Sequence, residues 1–351
     1  MKNKDTISFM SYKYLFFNDY SEGAHPDILK VLQESNVSQE IGYGEDSLCK
    51  KAADLIKKEL KNDKVEIHFV AGGTQANLVV LASLLKPYES VISAETGHIN
   101  VHEAGAIEAT GHRINSVKAK DGKLTIEDIQ SVLDVNPDEH TVKPKVVFIS
   151  QTTEVGTIYS KSEITKISRF CKENGLYLYL DGARLGSALA SVNNDLSLSQ
   201  VATLVDAFYI GGTKNGALLG EAIVICNPDL QKDFRYHLKQ RGALLAKGRI
   251  IAAQFLALFQ NNLYFKNGEY ANKMAKKLAD GIKSQGYRFL AESSTNQIFP
   301  ILPNSVIEKI KKNYGFYVWS KIDSKTSAIR LVTSWSTKES AVDQFLADLN
   351  N

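Results

Sequence analysis

The 351-residue chain predicts an α/β protein: a mostly parallel central sheet with helices on both faces, plus a smaller α+β C-terminal domain. Three observations carry this reading. Short apolar runs alternate with segments of helical period, the arrangement of a parallel sheet covered by helices. A helix, a glycine and a strand follow one another through residues 164–180, with Gly175 at the junction. From about Tyr264 the pattern changes to helix, strand, helix, strand, strand, helix.

In chain order, the first segment to Tyr20 is rich in aromatics (Phe9, Tyr12, Tyr14, Phe16, Phe17, Tyr20) and is expected to pack on the body of the protein. Pro26 opens a helix that ends near Asn36. Residues 46–60 repeat Leu48, Ala52, Leu55, Ile56 and Leu60 at helical spacing. A strand over 65–70 leads through Gly72-Gly73 into a helix from Thr74 that carries Ala76, Leu78, Val79, Leu81, Ala82 and Leu85. Further strands are predicted over 90–93, 146–150, 176–180, 207–210 and 221–226, then helices over 228–239 and 247–260. The expected organisation is an arm (1–25), a large α/β domain (26–263) and a small α+β domain (264–351).

Composition narrows the class. The chain is 44% hydrophobic and 23% charged, ordinary for a globular protein with a sizeable core. Forty-two Lys+Arg against 39 Asp+Glu leave +3, too little for a nucleic-acid or membrane-surface binder. No apolar run approaches the ~20 residues of a membrane span, and the first twenty residues lack the apolar region and cleavage site of a secretory signal. Cys49, Cys171 and Cys226 are odd in number, widely spaced and without a CxxC, against a disulfide scaffold or structural zinc. A cytoplasmic enzyme is expected.

Four features fall at the C-terminal ends of predicted strands, where open α/β sheets bind ligands. Ala71-Gly72-Gly73-Thr74-Gln75 lets backbone amides approach an anion at a helix start, which suits a phosphate; a tight turn with Thr74 as cap is an even alternative. Asp181 ends an apolar strand and precedes Arg184; it reads as a metal ligand, a base or the partner of a protonated nitrogen. Lys214 stands in the glycine-rich turn Gly211-Gly212-Thr213-Lys214-Asn215-Gly216, where partial desolvation would make its amine a nucleophile towards a carbonyl. Asn215 after the lysine breaks the Walker pattern. His98 and His102, followed by Glu103, read as ring-stacking or acid–base groups ahead of a metal site, since no HExxH is present. An anion cradle, an acid, a lysine and an aromatic ring are together what pyridoxal phosphate requires.

The segments FVAGGTQANL, ETGHINVHEAGAIEATGH, LYLDGARLGSAL, YIGGTKNGALLGEA and RLVTSW, with IGYGEDS and the start FFNDYSEGAHP, resemble the threonine aldolase and β-eliminating lyase family, within its low-specificity L-threonine aldolase branch. The similarity runs over nearly the whole chain. It implies a fold-type-I pyridoxal 5′-phosphate enzyme. By matched position, Lys214 would join the cofactor aldehyde as a Schiff base, Asp181 pair with the ring nitrogen, His98 stack on the ring, and Gly73 and Thr74 hold the phosphate. Arg184, beside the cofactor, and Arg330 would grip the substrate carboxylate, helped by Asn18 where the family has a serine. The resemblance further implies a homodimer or homotetramer with shared active sites, no metal, no nucleic acid and no membrane partner. Tyr43 would approach from a neighbouring subunit, and a basic residue of 239–241 or 247–249, Lys247 favoured, would reach the neighbour's phosphate.

Two departures stand out. The family's Asn-Thr-His stretch after the strand at 146–150 is Gln151-Thr152-Thr153-Glu154 here, so that Glu154 replaces a histidine, and Thr213 replaces the serine before the cofactor lysine. The implied reaction is retro-aldol cleavage of L-threonine or L-allo-threonine to glycine and acetaldehyde. The group that takes the β-hydroxyl proton stays open among His98, His102, Glu154 and water. β-Elimination or racemisation of another amino acid uses the same lysine and acid and is the nearest alternative. A non-catalytic nucleotide-binding module is the remote one.

Overall fold

A computed structural model describes residues 12–350. Its main sheet has seven strands, in the order Glu66–Val70, Glu221–Ile225, Ala207–Gly211, Tyr177–Asp181, Lys143–Ser150, Glu89–Ala94 and Ile114–Val117. The last five run parallel; the 221–225 strand is antiparallel to both its neighbours. Six of the seven lie where apolar runs predict them. The seventh, at 114–117, is a short edge strand with two polar residues, Asn115 and Ser116, at its centre and gives no apolar run to read.

Alternate residues of the central strands feed two cores, because successive side chains of a strand point to opposite faces. Val147, Ile149, Leu178 and Leu180 pack with Ala52, Ile56, Ile251 and Phe255 from the helices Ser47–Leu60 and Arg249–Phe259. Val146, Phe148 and Tyr179 pack on the other face with Val79 and Val80 of the helix Gly73–Leu84 and with Phe234 and Leu238 of the helix Phe234–Gln240. Asp46 caps the 47–60 helix by accepting from the Cys49 amide at 2.8 Å, the arrangement that satisfies an otherwise orphaned donor. The helix expected over 228–239 is broken: Asp233 adopts a left-handed conformation (φ 62°), and regular helix begins only at Phe234.

A second sheet orders Gln297–Ile298, Thr326–Val332, Pro300–Pro303 and Arg288–Phe289, with Tyr317–Lys321 also paired to Thr326–Val332. All these pairs are antiparallel. Its core takes Met274, Leu278 and Ile282 from the long helix Leu263–Ser284 and Phe345 from the helix Glu339–Asn350. Phe16 enters the same core, and Tyr14–Leu15 pairs in parallel with Tyr314–Gly315. The aromatic segment near the start therefore packs as expected over residues 12–17, whereas Phe9 lies outside the described residues.

The long helix ties the second sheet to the main one. Gly268 faces the backbone of Gly186 so closely that a Cβ would collide with the Gly186 carbonyl, and the Asn267 amide donates to Asn215 O at 2.8 Å. Overpacking of this kind costs roughly 1–3 kcal/mol. Gly268→Ala is therefore expected to lower stability by that amount in denaturant unfolding, and an unchanged midpoint would show that the helix shifts freely here.

Candidate active site

Strand ends place the chemistry. The 177–181 strand ends at Asp181, and the neighbouring 207–211 strand leads into the turn that carries Lys214. Gly182 is required between them, because a Cβ there would run into the carbonyl of Tyr209. Asp181 is buried and accepts from the Tyr209 hydroxyl, from the Ala183 amide at 3.0 Å and from the Asn77 amide at 3.2 Å. Asn77 also donates to Glu103 at 2.7 Å and accepts from the Tyr179 hydroxyl at 3.0 Å.

Two adjoining cavities share Tyr20, His98 and Lys214. The first, about 280 Å³, is lined by Gly72, Gly73, Thr74, Thr213 and Glu221. Here the 73–84 helix begins on Gly72 with no side-chain cap, so Thr74 is not the cap residue. Its first amides are left for an anion, and the helix dipole favours one there. Burial pushes the Glu221 carboxyl up to about 8, although it accepts from the Gly212 amide at 2.8 Å. At neutral pH this acid is largely uncharged and does not oppose an anion beside it.

The second cavity, about 440 Å³, is lined by His102, Glu154, Arg184, Tyr317, Val318, Trp319 and Arg330. Arg184 is largely committed: Nε and Nη2 donate to Asp19 at 2.8 and 3.1 Å, in a pair whose side chains are 8% and 0% exposed. Asn296 donates to the same carboxylate at 2.8 Å. Burial alone would push Asp19 up, but the guanidinium of Arg184, then the charge of Lys214, hold it below the usual carboxylate range. Arg330 packs its guanidinium over Trp319 and Tyr317, with centroids at 5.1 and 5.4 Å, and its buried Nε has no partner. Burial, then the nearby charge of Arg184, push its pKa down.

Lys214 takes no part in the ion pairs of the site, and burial, followed by the charge of Arg184, lowers its pKa. His98 meets Glu103 through Nδ1 at 2.8 Å. Burial works against the imidazolium, but this bond, with the charges of Asp181 and Glu154, outweighs it and raises the pKa. His102 stands one turn on, its ring centre 5.4 Å from that of His98. Burial, then the His98 charge, push it down.

The structure thus brings together Gly73, Thr74, His98, Arg184, Lys214 and Arg330 around the joined cavities, with Asp181 behind them. It places three expected residues elsewhere. Asn18 spends its side-chain oxygen on the Tyr20 amide (2.9 Å) and the Ser21 hydroxyl (3.0 Å), and its neighbour Asp19 is what reaches the site arginine. Tyr43 and Lys247 lie on a separate surface, where Tyr43 N donates to Ala246 O at 3.2 Å and Lys239 packs on the Tyr43 ring. Sequence reasoning missed Asp19, Asn77, Tyr209 and Glu221; the first three work through partners 28 to 165 positions away, and only Glu221, an acid inside an apolar strand nine residues from its partner Gly212, carries a local signal. Among the described residues, no group of three or more His, Cys, Asp and Glu side chains could hold a metal ion, and no helix is long and apolar enough to cross a membrane.

Comparison with known proteins identifies the family and the fold. A family profile of β-eliminating lyases matches residues 26–304. A low specificity L-threonine aldolase of a Pseudomonas strain is 34% identical over 337 residues, covering 95% of this chain and 96% of that one. The structure of a threonine aldolase from Leishmania major has a TM-score of 0.94 at 48% identity, over 96% of this chain and 98% of that one. An aspartate aminotransferase of Thermus thermophilus has a TM-score of 0.73 at 13% identity, over 97% of this chain and 91% of that one, a likeness of fold alone. The fold class expected at the outset, that of the fold-type-I enzymes, is the one observed.

The Asp19–Arg184 pair gives a prediction with a defined sign. Asp19→Asn leaves a buried guanidinium without its counter-charge, a loss of about 3–5 kcal/mol. Because the folded pKa of Asp19 lies below the unfolded value of ~4, its contribution is present above that pH and is lost as pH falls through the folded value. The gap between wild-type and variant thermal midpoints is expected to be full at neutral pH and to narrow in acid; a gap independent of pH would contradict the pairing.

Proposed function

Because the chain belongs to the β-eliminating lyase family, we propose that it is a pyridoxal 5′-phosphate-dependent aldehyde-lyase that cleaves L-threonine or L-allo-threonine, and related β-hydroxy-α-amino acids, to glycine and an aldehyde. The observation that carries the reading is the order of groups along the joined cavities. An uncapped helix start comes first, then the Lys214 amine beside His98, then two guanidiniums.

The residues fit the cofactor on charge as well as shape. Asp181 and Glu103 are two buried acids bridged by Asn77, and His98 is bonded to Glu103. Glu103 Oε2 has no partner. Asp181 would pair with the cofactor's ring nitrogen, whose positive charge would offset a carboxylate buried from water. Gly73 and Thr74 would hold the phosphate through the free amides, His98 would lie on the ring, and the Lys214 amine would join the aldehyde. When bound, the cofactor supplies the electron sink for the pair released when a bond to Cα breaks.

The chain's own residues do the rest. The unpartnered Nε of Arg330 and the arm of Arg184 not taken by Asp19 receive the substrate carboxylate. Holding the carboxylate at one end fixes the direction of the Cα–Cβ bond, an orientation effect that reduces the entropy cost of reaction. Lys214, with its lowered proton affinity, exchanges a proton at Cα. Tyr43 and Lys247 share one surface; in this reading that surface meets a second copy of the chain, so that each completes the neighbour's site in a homodimer or homotetramer.

Wild-type enzyme supplied with pyridoxal phosphate is expected to release glycine and acetaldehyde from threonine, measured with an aldehyde-coupled assay. Ammonia and a keto acid from serine, without aldehyde from any β-hydroxy amino acid, would point to elimination instead. Lys214→Ala is expected to abolish both turnover and the near-visible absorbance of the loaded enzyme, and retained colour with turnover would refute the assignment of that amine.

A further inference from the structure

The strand at 143–150 runs out into a turn that the cofactor reading leaves without a task. Thr153 N donates to Thr157 O at 2.9 Å, their hydroxyls meet at 2.7 Å, and Gly156 N donates to Thr153 O at 3.0 Å. The turn is pinned from outside as well. Thr157 Oγ1 donates to Asp121 O at 2.8 Å, while Ser293 and Thr295 donate to Gly156 O at 3.1 and 3.2 Å. Gly156 itself sits at φ 80°, a conformation that favours glycine. Glu154 is carried within this closed turn and lines the larger cavity together with Lys214, Arg184 and Arg330.

The carboxylate of Glu154 has no share in the hydrogen bonds that satisfy the other acids of the site, Asp19, Glu103 and Asp181. Its charge reaches five cationic or basic groups, His98, His102, Arg184, Lys214 and Arg330. An acid with free lone pairs, fixed in a cavity whose arginines take the carboxylate of an amino acid, offers an acceptor to whatever donor remains. In a β-hydroxy-α-amino acid that donor is the hydroxyl.

Resting on the aldolase reading, we propose that Glu154 is the catalytic base that accepts the β-hydroxyl proton. The O–H bond breaks and its proton passes to a Glu154 oxygen, while the electrons of that bond form the carbonyl of the departing aldehyde. The Cα–Cβ bond breaks and its pair stays on Cα. A proton delivered to Cα completes glycine, and Glu154 returns its own to solvent, so the sum is neutral. Neither histidine serves as well. His98 is bonded through Nδ1 to Glu103, a contact that raises its pKa. His102, its ring centre 5.4 Å from that of His98, has its pKa lowered by burial and then by the charge of His98.

The test compares two reactions of the loaded enzyme. Exchange of the glycine α-proton in D₂O needs Lys214 and the carboxylate grip but has no hydroxyl to deprotonate; threonine cleavage needs all three. Glu154→Gln is expected to exchange glycine as the wild type does and to lose about 10²- to 10⁴-fold in kcat for threonine, the range of a general base. Undiminished cleavage, or cleavage and exchange falling together, would overturn the assignment. A wild type that exchanges glycine yet releases no aldehyde from any β-hydroxy amino acid would instead overturn the aldolase reading, and the role of Glu154 with it.

Discussion

The ring of Tyr209 sets the scale of the site. Its hydroxyl donates to Asp181, and a Cβ on Gly73 would stand 3.0 Å from that hydroxyl. One buried, rigid side chain therefore spans from the acid to the start of the 73–84 helix. The spacing holds only because the strands at 177–181 and 207–211 approach so closely that position 182 has room for no side chain, with Gly211 N donating to Gly182 O at 3.0 Å. Any lengthening of this contact would displace the acid, the helix start and the Lys214 turn relative to one another. Groups that must act on one planar ligand need such fixed separations, since loosening by an ångström costs orders of magnitude in rate.

Charge is arranged in layers around that frame. The bond to Glu103 raises the pKa of His98, while burial and then the charge of His98 lower that of His102. Asp19 takes up two arms of Arg184, which leaves Arg330 as the guanidinium with an unsatisfied buried nitrogen. Burial keeps Glu221 largely protonated where an anion would sit. Each acid is thus neutral, paired or directed at the ligand, and an unpaired buried charge is the expensive alternative.

Strands that are buried on both faces print themselves as apolar runs, which is why residues 89–94, 143–150, 177–181, 207–211 and 221–225 were legible within a few residues. The chemistry-bearing ends of those strands were legible too, as glycines and single polar residues following apolar ones. What escaped was what depends on meeting across the chain. Asp19 reaches Arg184 over 165 positions, and Asn77 reaches Asp181 over 104. No spacing rule links such pairs, and the family resemblance favoured Asn18, whose side chain closes a turn instead. The helix break at Asp233 was hidden because one residue with positive φ leaves no mark on an amphipathic pattern.

The cofactor-holding end and the reacting end are built from different material, and this bears on where sequence change is tolerated. Gly73, Asp181 and Lys214 sit at strand ends and a helix start within the main sheet, where a shift in one moves all. The opposite wall comes from a turn at 153–157 pinned by Ser293 and Thr295 and from the strand Tyr317–Lys321 of the second sheet. It is there that Glu154 stands in place of the histidine of the resembling sequences, while the glycines, acid and lysine of the other end keep the expected pattern. Glu154 nevertheless hangs from the main sheet, since the 143–150 strand that leads into its turn pairs with the 177–181 strand and Gln151 N donates to Asp181 O at 2.9 Å; a change of side chain at position 154 alters what faces the β-carbon of the ligand while that backbone pairing keeps the acid in place.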